Sequence, residues 1–262
     1  MIQHFQYTVA ELVPFIDWVY FFHAWQVKEH TEQGAELKAD ALRMLTSLAD
    51  NIGAKALYWE VKAHSEEDNI IIEAPDSKHQ TIVIPLLRQQ MLGADGYALC
   101  LADFIRPDKD TLGLFATTCA LKANANADPY ESLMMQTLAT RLAEAAAEKV
   151  DEDTWNKKNQ NDVNKGKTDY KGIRPAVGYP SLPDLSVNFL LDELLDMGDI
   201  GITLTENGAM APPSSVSGLI IRHPSARYFN IGTISNEQFE DYTRRRGLLP
   251  QRMRQFLRAV LD

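Results

Sequence analysis

The sequence contains the stretch Arg174-Pro-Ala-Val-Gly-Tyr179, which is followed by Pro180. Proline restricts φ and keeps the preceding residue out of the helical region, so this backbone should be extended or turned. A single glycine, Gly178, adds one point of conformational freedom. A guanidinium on such a stiff backbone presents a rigid fork of donors that suits a carboxylate or a phosphate. An ordered surface turn would explain the same residues, and both interpretations stay open.

A second candidate residue is Asp17, which stands in the aromatic-rich segment between Val13 and Trp25. A carboxylate among so many aromatic side chains indicates the edge of a cleft, because an unpaired buried charge is strongly unfavourable. A helix N-cap or a salt bridge would account for Asp17 equally well.

The strongest predicted helix begins after Pro129 and runs from Tyr130 to about Val150. Leu138 and Leu142 belong to its apolar stripe, and Glu144 lies roughly on the opposite face. Glu144 would face solvent if the helix packs only on the core, or a ligand if a cleft lies on its other side. Periodicity alone does not separate these alternatives.

The polar segment 151–172 follows this helix and is rich in Asn, Lys and Asp, with few apolar anchors. We predict a mobile polar loop here, or else a poorly anchored helix, that leads directly into Arg174.

Apolar runs elsewhere predict a group of strands without long helices between them, which favours an antiparallel sheet in an α+β fold. The predicted strands are 54–61, 69–74, 80–86, 97–104 and 111–119.

The net charge, the apolar runs and the cysteines of the sequence argue against several classes of function. The net charge of −10 argues against a nucleic-acid-binding surface, which needs clustered Lys and Arg. No apolar run is long enough to cross a bilayer, and the N-terminus lacks the pattern of a secretory signal. Cys100 and Cys119 lie in apolar runs and are expected to be reduced core residues. We therefore expect a cytoplasmic protein with neither nucleic acid nor membrane as a partner.

The common nucleotide-binding, hydrolase and zinc motifs are absent from the sequence.

Several motifs, taken in their order along the chain, resemble the activation (reactivation) domain of cobalamin-dependent methionine synthase. The resemblance covers nearly the whole chain, and several motifs at compatible separations are far more specific than any one. They are Leu-Ala-Asp-Phe (101–104), Arg-Leu-Ala-Glu-Ala (141–145), Arg-Pro-Ala-Val-Gly-Tyr-Pro-Ser-Leu-Pro-Asp (174–184), Leu-Thr-Glu-Asn-Gly-Ala-Met-Ala-Pro-Pro-Ser-Ser-Val-Ser-Gly (204–218), His-Pro-Ser-Ala-Arg-Tyr-Phe (223–229) and Glu-Asp-Tyr-Thr-Arg-Arg-Arg-Gly (240–247).

The resemblance implies a C-shaped single domain over residues 1–262, with a mainly antiparallel twisted β-sheet and surrounding helices. It implies a domain that binds S-adenosylmethionine and caps a cobalamin-binding module whose cofactor is inactive cob(II)alamin. An electron from a flavodoxin-like donor and the methyl group of S-adenosylmethionine then restore methylcobalamin. Such a chain is a component of a methyltransferase system rather than a complete enzyme.

The resemblance also assigns roles within the site. Arg174 would bind the carboxylate of the ligand and Asp17 its α-amino group. Tyr179 would approach the reactive end, the pair Tyr228 and Phe229 would line the pocket, and Glu144 would favour the sulfonium cation.

The chain departs from the family pattern at Thr140, where members usually have an Asp one turn before that Glu. The homocysteine, folate and cobalamin modules of the full-length enzyme have no counterpart in this sequence. The main hypothesis is therefore a free-standing activation subunit, with cobalamin carried by the partner protein. The alternatives are a non-catalytic adaptor that keeps the fold and binds a corrinoid protein, and a self-sufficient methyltransferase with its own small-molecule acceptor.

Overall fold

The computed structural model describes residues 1–73, 81–93, 96–119, 121, 128–159 and 172–261. The strands are β1 (Gln3–Thr8), β2 (Ile52–Glu66), β3 (Asn69–Ile72), β4 (Ile82–Pro85), β5 (Asp110–Cys119), β6 (Thr203–Leu204), β7 (Met210–Ala211) and β8 (Ser215–Ile220). The α-helices are α1 (Val9–Leu12), α2 (Trp18–Ala24), α3 (Glu32–Ser47), α4 (Pro129–Asn159), α5 (Val187–Leu195), α6 (Asn236–Arg246) and α7 (Pro250–Phe256). None of the helices in these ranges is both long and apolar enough to cross a membrane.

The main sheet has the strand order β4-β3-β2-β5-β8, and β1 also pairs with β2. Every one of these pairings is antiparallel, and the sheet curls into a half-barrel. The predicted α+β class with a mainly antiparallel sheet is therefore confirmed. The hairpin of β3 and β4 matches the predicted strands 69–74 and 80–86, whose connecting turn lies outside the described residues.

Helices cover both faces of this sheet. On β2, Leu57 points into a core shared with α5, whereas Ala56 and Tyr58 point into a second core shared with α4. The helix α4 crosses β2, β5 and β8 on its face of the sheet. Because both faces are covered, β5 is buried along nearly its whole length, which explains its continuous apolar sequence. Cys100 and Cys119 are buried free thiols, in agreement with the sequence-based prediction.

The helix α4 continues well beyond the predicted end at Val150. Residues 151–159 are helical, so for this part of the segment the predicted mobile polar loop is wrong and the alternative of a helix is correct. The physical reason is that Asp151 and Thr154 are buried and pair with side chains from distant parts of the chain, which anchors the helix without apolar residues. The remainder of the predicted loop, 160–171, lies outside the described residues.

The predicted strand 97–104 is also wrong. It contributes one isolated bridge, between Cys100 and Arg88, and then a 3-10 helix over Leu101–Phe104. The Asp103 carboxylate accepts a hydrogen bond from the backbone N–H of Cys100 at 2.8 Å, which turns the chain out of an extended path.

Candidate functional site

A cleft of about 660 Å³ opens between α4, the segment that precedes α2, and the loops at 174–181 and 228–230. Its volume lies in the range of small-molecule sites. All of the site residues proposed from the sequence line it, although they come from distant parts of the chain. They are Asp17, Glu144, Arg174, Tyr179, Tyr228 and Phe229.

The stretch 174–179 reaches the cleft because it runs antiparallel along the outer edge of β8. Val177 N–H donates to the Ser217 carbonyl at 2.9 Å, and Leu219 N–H donates to the Pro175 carbonyl at 3.0 Å. The contact is close enough that a Cβ on Gly218 would lie 2.3 Å from the Pro175 carbonyl oxygen. The segment then turns at Gly178, whose φ of +88° favours glycine. The prediction that the backbone here is extended or turned is confirmed.

The guanidinium of Arg174 contacts two carboxylates of α4. Nη1 donates to Asp151 Oδ2 at 2.8 Å, and Nη2 donates to Glu148 Oε1 at 2.9 Å. Its backbone N–H donates to the Tyr228 hydroxyl at 2.9 Å. Burial acts to lower the pKa of Arg174, but the ion pair with Asp151 outweighs it, so the pKa is raised and the guanidinium stays charged.

Asp151 is the residue that sequence reasoning missed. Its carboxylate, whose side chain is 2% exposed, accepts hydrogen bonds from Arg174 and also from Arg222 Nη2 at 3.1 Å. Arg222 Nη2 also donates to Thr154 Oγ1 at 2.6 Å. A signal was present, since Ala147, Asp151 and Thr154 continue the buried stripe of the helix at helical spacing.

Glu144 faces the cleft. The periodicity of the helix had left open whether this side chain faces solvent or a ligand. Arg141 binds its carboxylate with two donors, Nη1 at 2.7 Å from Oε2 and Nη2 at 3.0 Å from Oε1. The Tyr179 hydroxyl donates to Oε1 at 3.0 Å. Burial raises the pKa of Glu144, with a further contribution from the charge of Asp17, while Arg141 opposes the rise. Burial and the neighbouring Glu144 raise the pKa of Tyr179 to about 12, so it remains a donor.

Asp17 satisfies both interpretations offered for it. Oδ1 accepts a hydrogen bond from Val19 N–H at 2.9 Å, so the residue is the N-cap of α2. The same side chain lines the cleft on the side of Tyr20. Its charge contributes to the raised pKa of Glu144, although burial is the larger cause.

Tyr228 and Phe229 form part of the wall. Tyr228 is exposed, whereas Phe229 is half-buried and packs on Phe104, with ring centroids 6.4 Å apart.

Thr140 lies one turn before Glu144, donates its hydroxyl to the Gln136 carbonyl at 3.1 Å and is not among the described residues that line the cleft.

The cleft thus carries both signs of charge within aromatic walls. Arg174 offers a cation, and Asp17 and Glu144 offer carboxylates. This distribution suits a ligand that contains an anionic group, a cationic group and a flat ring.

Comparison with known proteins shows the family of this chain. A crystal structure of the MetH reactivation domain bound to AdoHcy superposes with a TM-score of 0.87 at 31% sequence identity, covering 100% of this chain and 90% of that one. Residues 8–247 match the family described as "Vitamin B12 dependent methionine synthase, activation domain". The chain therefore belongs to the family of vitamin B12-dependent methionine synthase activation domains.

Proposed function

We propose that this cleft binds S-adenosylmethionine and that the chain supports reductive remethylation of cob(II)alamin on a separate cobalamin-dependent methionine synthase. The observation that carries the proposal is the pairing of charges in one cleft, Arg174 with Asp17 and Glu144. S-adenosylmethionine carries a carboxylate, an α-amino group and a sulfonium cation, so each charge has a complement. The similar reactivation domain was solved with AdoHcy, which is the same molecule without its methyl group.

The proposed roles follow from this complementarity. Arg174 binds the carboxylate of the ligand, for which a planar guanidinium is well suited. Asp17 binds the α-amino group, and its N-cap hydrogen bond fixes the carboxylate in position. Glu144 stabilises the sulfonium cation, with Tyr179 and Arg141 holding its carboxylate. Tyr228 and Phe229 line one side of the pocket.

When bound, S-adenosylmethionine supplies a methyl group whose bonding electron pair stays on sulfur. Reductive remethylation also consumes one electron, which we assign to a flavodoxin-like donor. The residues of this chain bind and orient the ligand, and the cobalamin-binding module of the partner provides the acceptor. Residues 8–247 of the 262 are accounted for by the activation domain, which supports a cobalamin module outside this sequence.

The proposed reaction takes place in the cytoplasm. A reducing compartment maintains the electron donor, and the two buried free thiols, Cys100 and Cys119, are compatible with it.

One observation favours the alternative, a non-catalytic adaptor that binds a corrinoid protein. Arg174 and Glu144 are already paired with residues of this chain, as in a site whose charges serve the fold.

Reactivation of a partner separates the two functions. The experiment mixes this chain, S-adenosylmethionine and a reductant with a cob(II)alamin-loaded methionine synthase that lacks its own activation domain, and follows methylcobalamin by its visible spectrum. We expect methylcobalamin only when both this chain and S-adenosylmethionine are present. A stable complex with the partner but no dependence on S-adenosylmethionine would support the adaptor instead.

A further inference from the structure

The two carboxylates that contact Arg174 differ in how firmly they are held. The Asp151 side chain is 2% exposed and also binds Arg222, whereas the Glu148 side chain is 48% exposed. Both lie on α4, and Nη1 and Nη2 of Arg174 each donate one hydrogen bond to them at a normal distance. One guanidinium therefore has a fixed anionic partner and a solvent-facing one.

These environments predict different responses to a competing anion. Breaking the contact with Asp151 would leave a buried charge without one of its partners, which is strongly unfavourable. The contact of Arg174 with Glu148 contributes less to stability, because the Glu148 side chain is 48% exposed and water solvates its carboxylate when the contact opens. Glu148 can therefore rotate into solvent while Asp151 continues to hold the guanidinium.

We propose that Glu148 is an internal competitor for the carboxylate of the ligand. It contacts Nη2 of Arg174 until a ligand carboxylate replaces it, and Asp151 keeps the guanidinium in place during the exchange. Glu148 thereby determines how much affinity a ligand gains from its carboxylate. This inference rests on the proposed function, because it concerns the same binding site.

The competition has a specific consequence for ligands that lack a carboxylate. Such a ligand leaves the pair of Arg174 and Glu148 intact, so removing the charge of Glu148 should not improve its binding. A ligand with a carboxylate should bind more tightly once the competitor is gone. Two ligands that differ only in the carboxylate therefore distinguish competition from a general change in the charge of the cleft.

The experiment is calorimetric titration of S-adenosylhomocysteine and of its decarboxylated analogue into the wild type, Glu148→Gln and Glu152→Gln. Glu152 is exposed one turn further along α4 and does not line the cleft among the described residues, so it supplies the same change in net charge. We expect Glu148→Gln to bind S-adenosylhomocysteine up to about fivefold more tightly, as expected from the loss of an exposed ion pair. The analogue should bind the wild type and both variants equally, and Glu152→Gln should match the wild type with both ligands.

Three outcomes would overturn the inference. Glu148→Gln could bind S-adenosylhomocysteine no more tightly than the wild type, or it could gain equally with both ligands. Both results leave the proposed function intact, because the wild type binds. If neither the wild type nor Glu148→Gln bound S-adenosylhomocysteine, the proposed function and this inference would fail together. Matching unfolding midpoints of the variants show that each comparison is made between folded proteins.

Discussion

The hydroxyl of Tyr179 donates a 3.0 Å hydrogen bond to the carboxylate of Glu144, which joins the 174–179 stretch to helix α4 across the cleft. Arg141 binds the same carboxylate from its other side. Burial raises the pKa of Glu144, whereas Arg141 and Tyr179 stabilise its carboxylate form. Its charge state should decide how strongly the cleft prefers a sulfonium over a neutral thioether.

The pH dependence of ligand preference tests this role. Because the pKa of Glu144 lies above its usual value, lowering the pH through that pKa protonates the carboxyl and removes its negative charge. The affinity ratio of S-adenosylmethionine to S-adenosylhomocysteine should therefore fall as the pH decreases through the pKa of Glu144. The two ligands share their amino and carboxyl groups, so those titrations cancel in the ratio.

The variant Glu144→Gln supplies the control for this titration. Its ratio should be lower than that of the wild type at neutral pH and should not change over the same acidic range. Calorimetric titrations at a series of pH values measure both quantities. A variant that keeps the wild-type ratio and the wild-type pH dependence would exclude Glu144 as the cation-binding group.

Asp151 should be important for stability as well as for binding. The substitution Asp151→Asn leaves Arg174 and Arg222 without their shared buried anion, and we expect a loss of about 3 kcal/mol in the free energy of unfolding. Urea unfolding measures this value. Glu152→Gln, an exposed neighbour, should change the free energy by less than about 0.5 kcal/mol. Equal effects of the two substitutions would show that the network around Asp151 is not structural.

The close approach at Gly218 predicts a specific effect on the site. Gly218→Ala places a methyl group against the backbone of Pro175, so we expect a destabilisation of about 1–3 kcal/mol and a displaced 174–178 segment that binds ligand more weakly. Gly113→Ala is a matched control, because its Cβ would meet side chains of Ile220 and Tyr58 instead. Urea unfolding and calorimetry separate the two effects. Gly113→Ala should lose stability with little loss of binding, and an equal loss of binding in both variants would contradict this account.

The departure at Thr140 can be reversed. Thr140→Asp places a carboxylate one helical turn before Glu144, which should raise the pKa of Glu144 further and increase the preference for the sulfonium ligand by about twofold. The affinity ratio of S-adenosylmethionine to S-adenosylhomocysteine at neutral pH measures the change. Thr137→Asp, nearly a turn further away on α4, should have a smaller effect. No difference between Thr140→Asp and the wild type would show that this position does not act on the cleft.

The sequence was sufficient to predict the antiparallel α+β fold and a set of side chains that the structure brings to one cleft. It could not predict their internal partners. Arg174 was expected to be open to a ligand, yet it pairs with Glu148 and Asp151. These contacts could not be predicted, because partners more than twenty residues apart leave no local pattern in the sequence. The true extent of α4 was missed for the same reason. Its last turns are anchored by the ion pair of Asp151 with Arg222 and the hydrogen bond of Thr154 with Arg222, whereas the periodicity of apolar residues fades after Val150.

The central claim is that this cleft binds S-adenosylmethionine through Arg174. Calorimetric titration of S-adenosylmethionine into the wild type and into Arg174→Ala tests it most directly, with Arg174→Lys as a variant that keeps the charge near Asp151. We expect one site in the wild type, no measurable binding in Arg174→Ala and binding about tenfold weaker or worse in a folded Arg174→Lys, which lacks the planar fork. No binding by the wild type, or unchanged binding in Arg174→Ala, would contradict it.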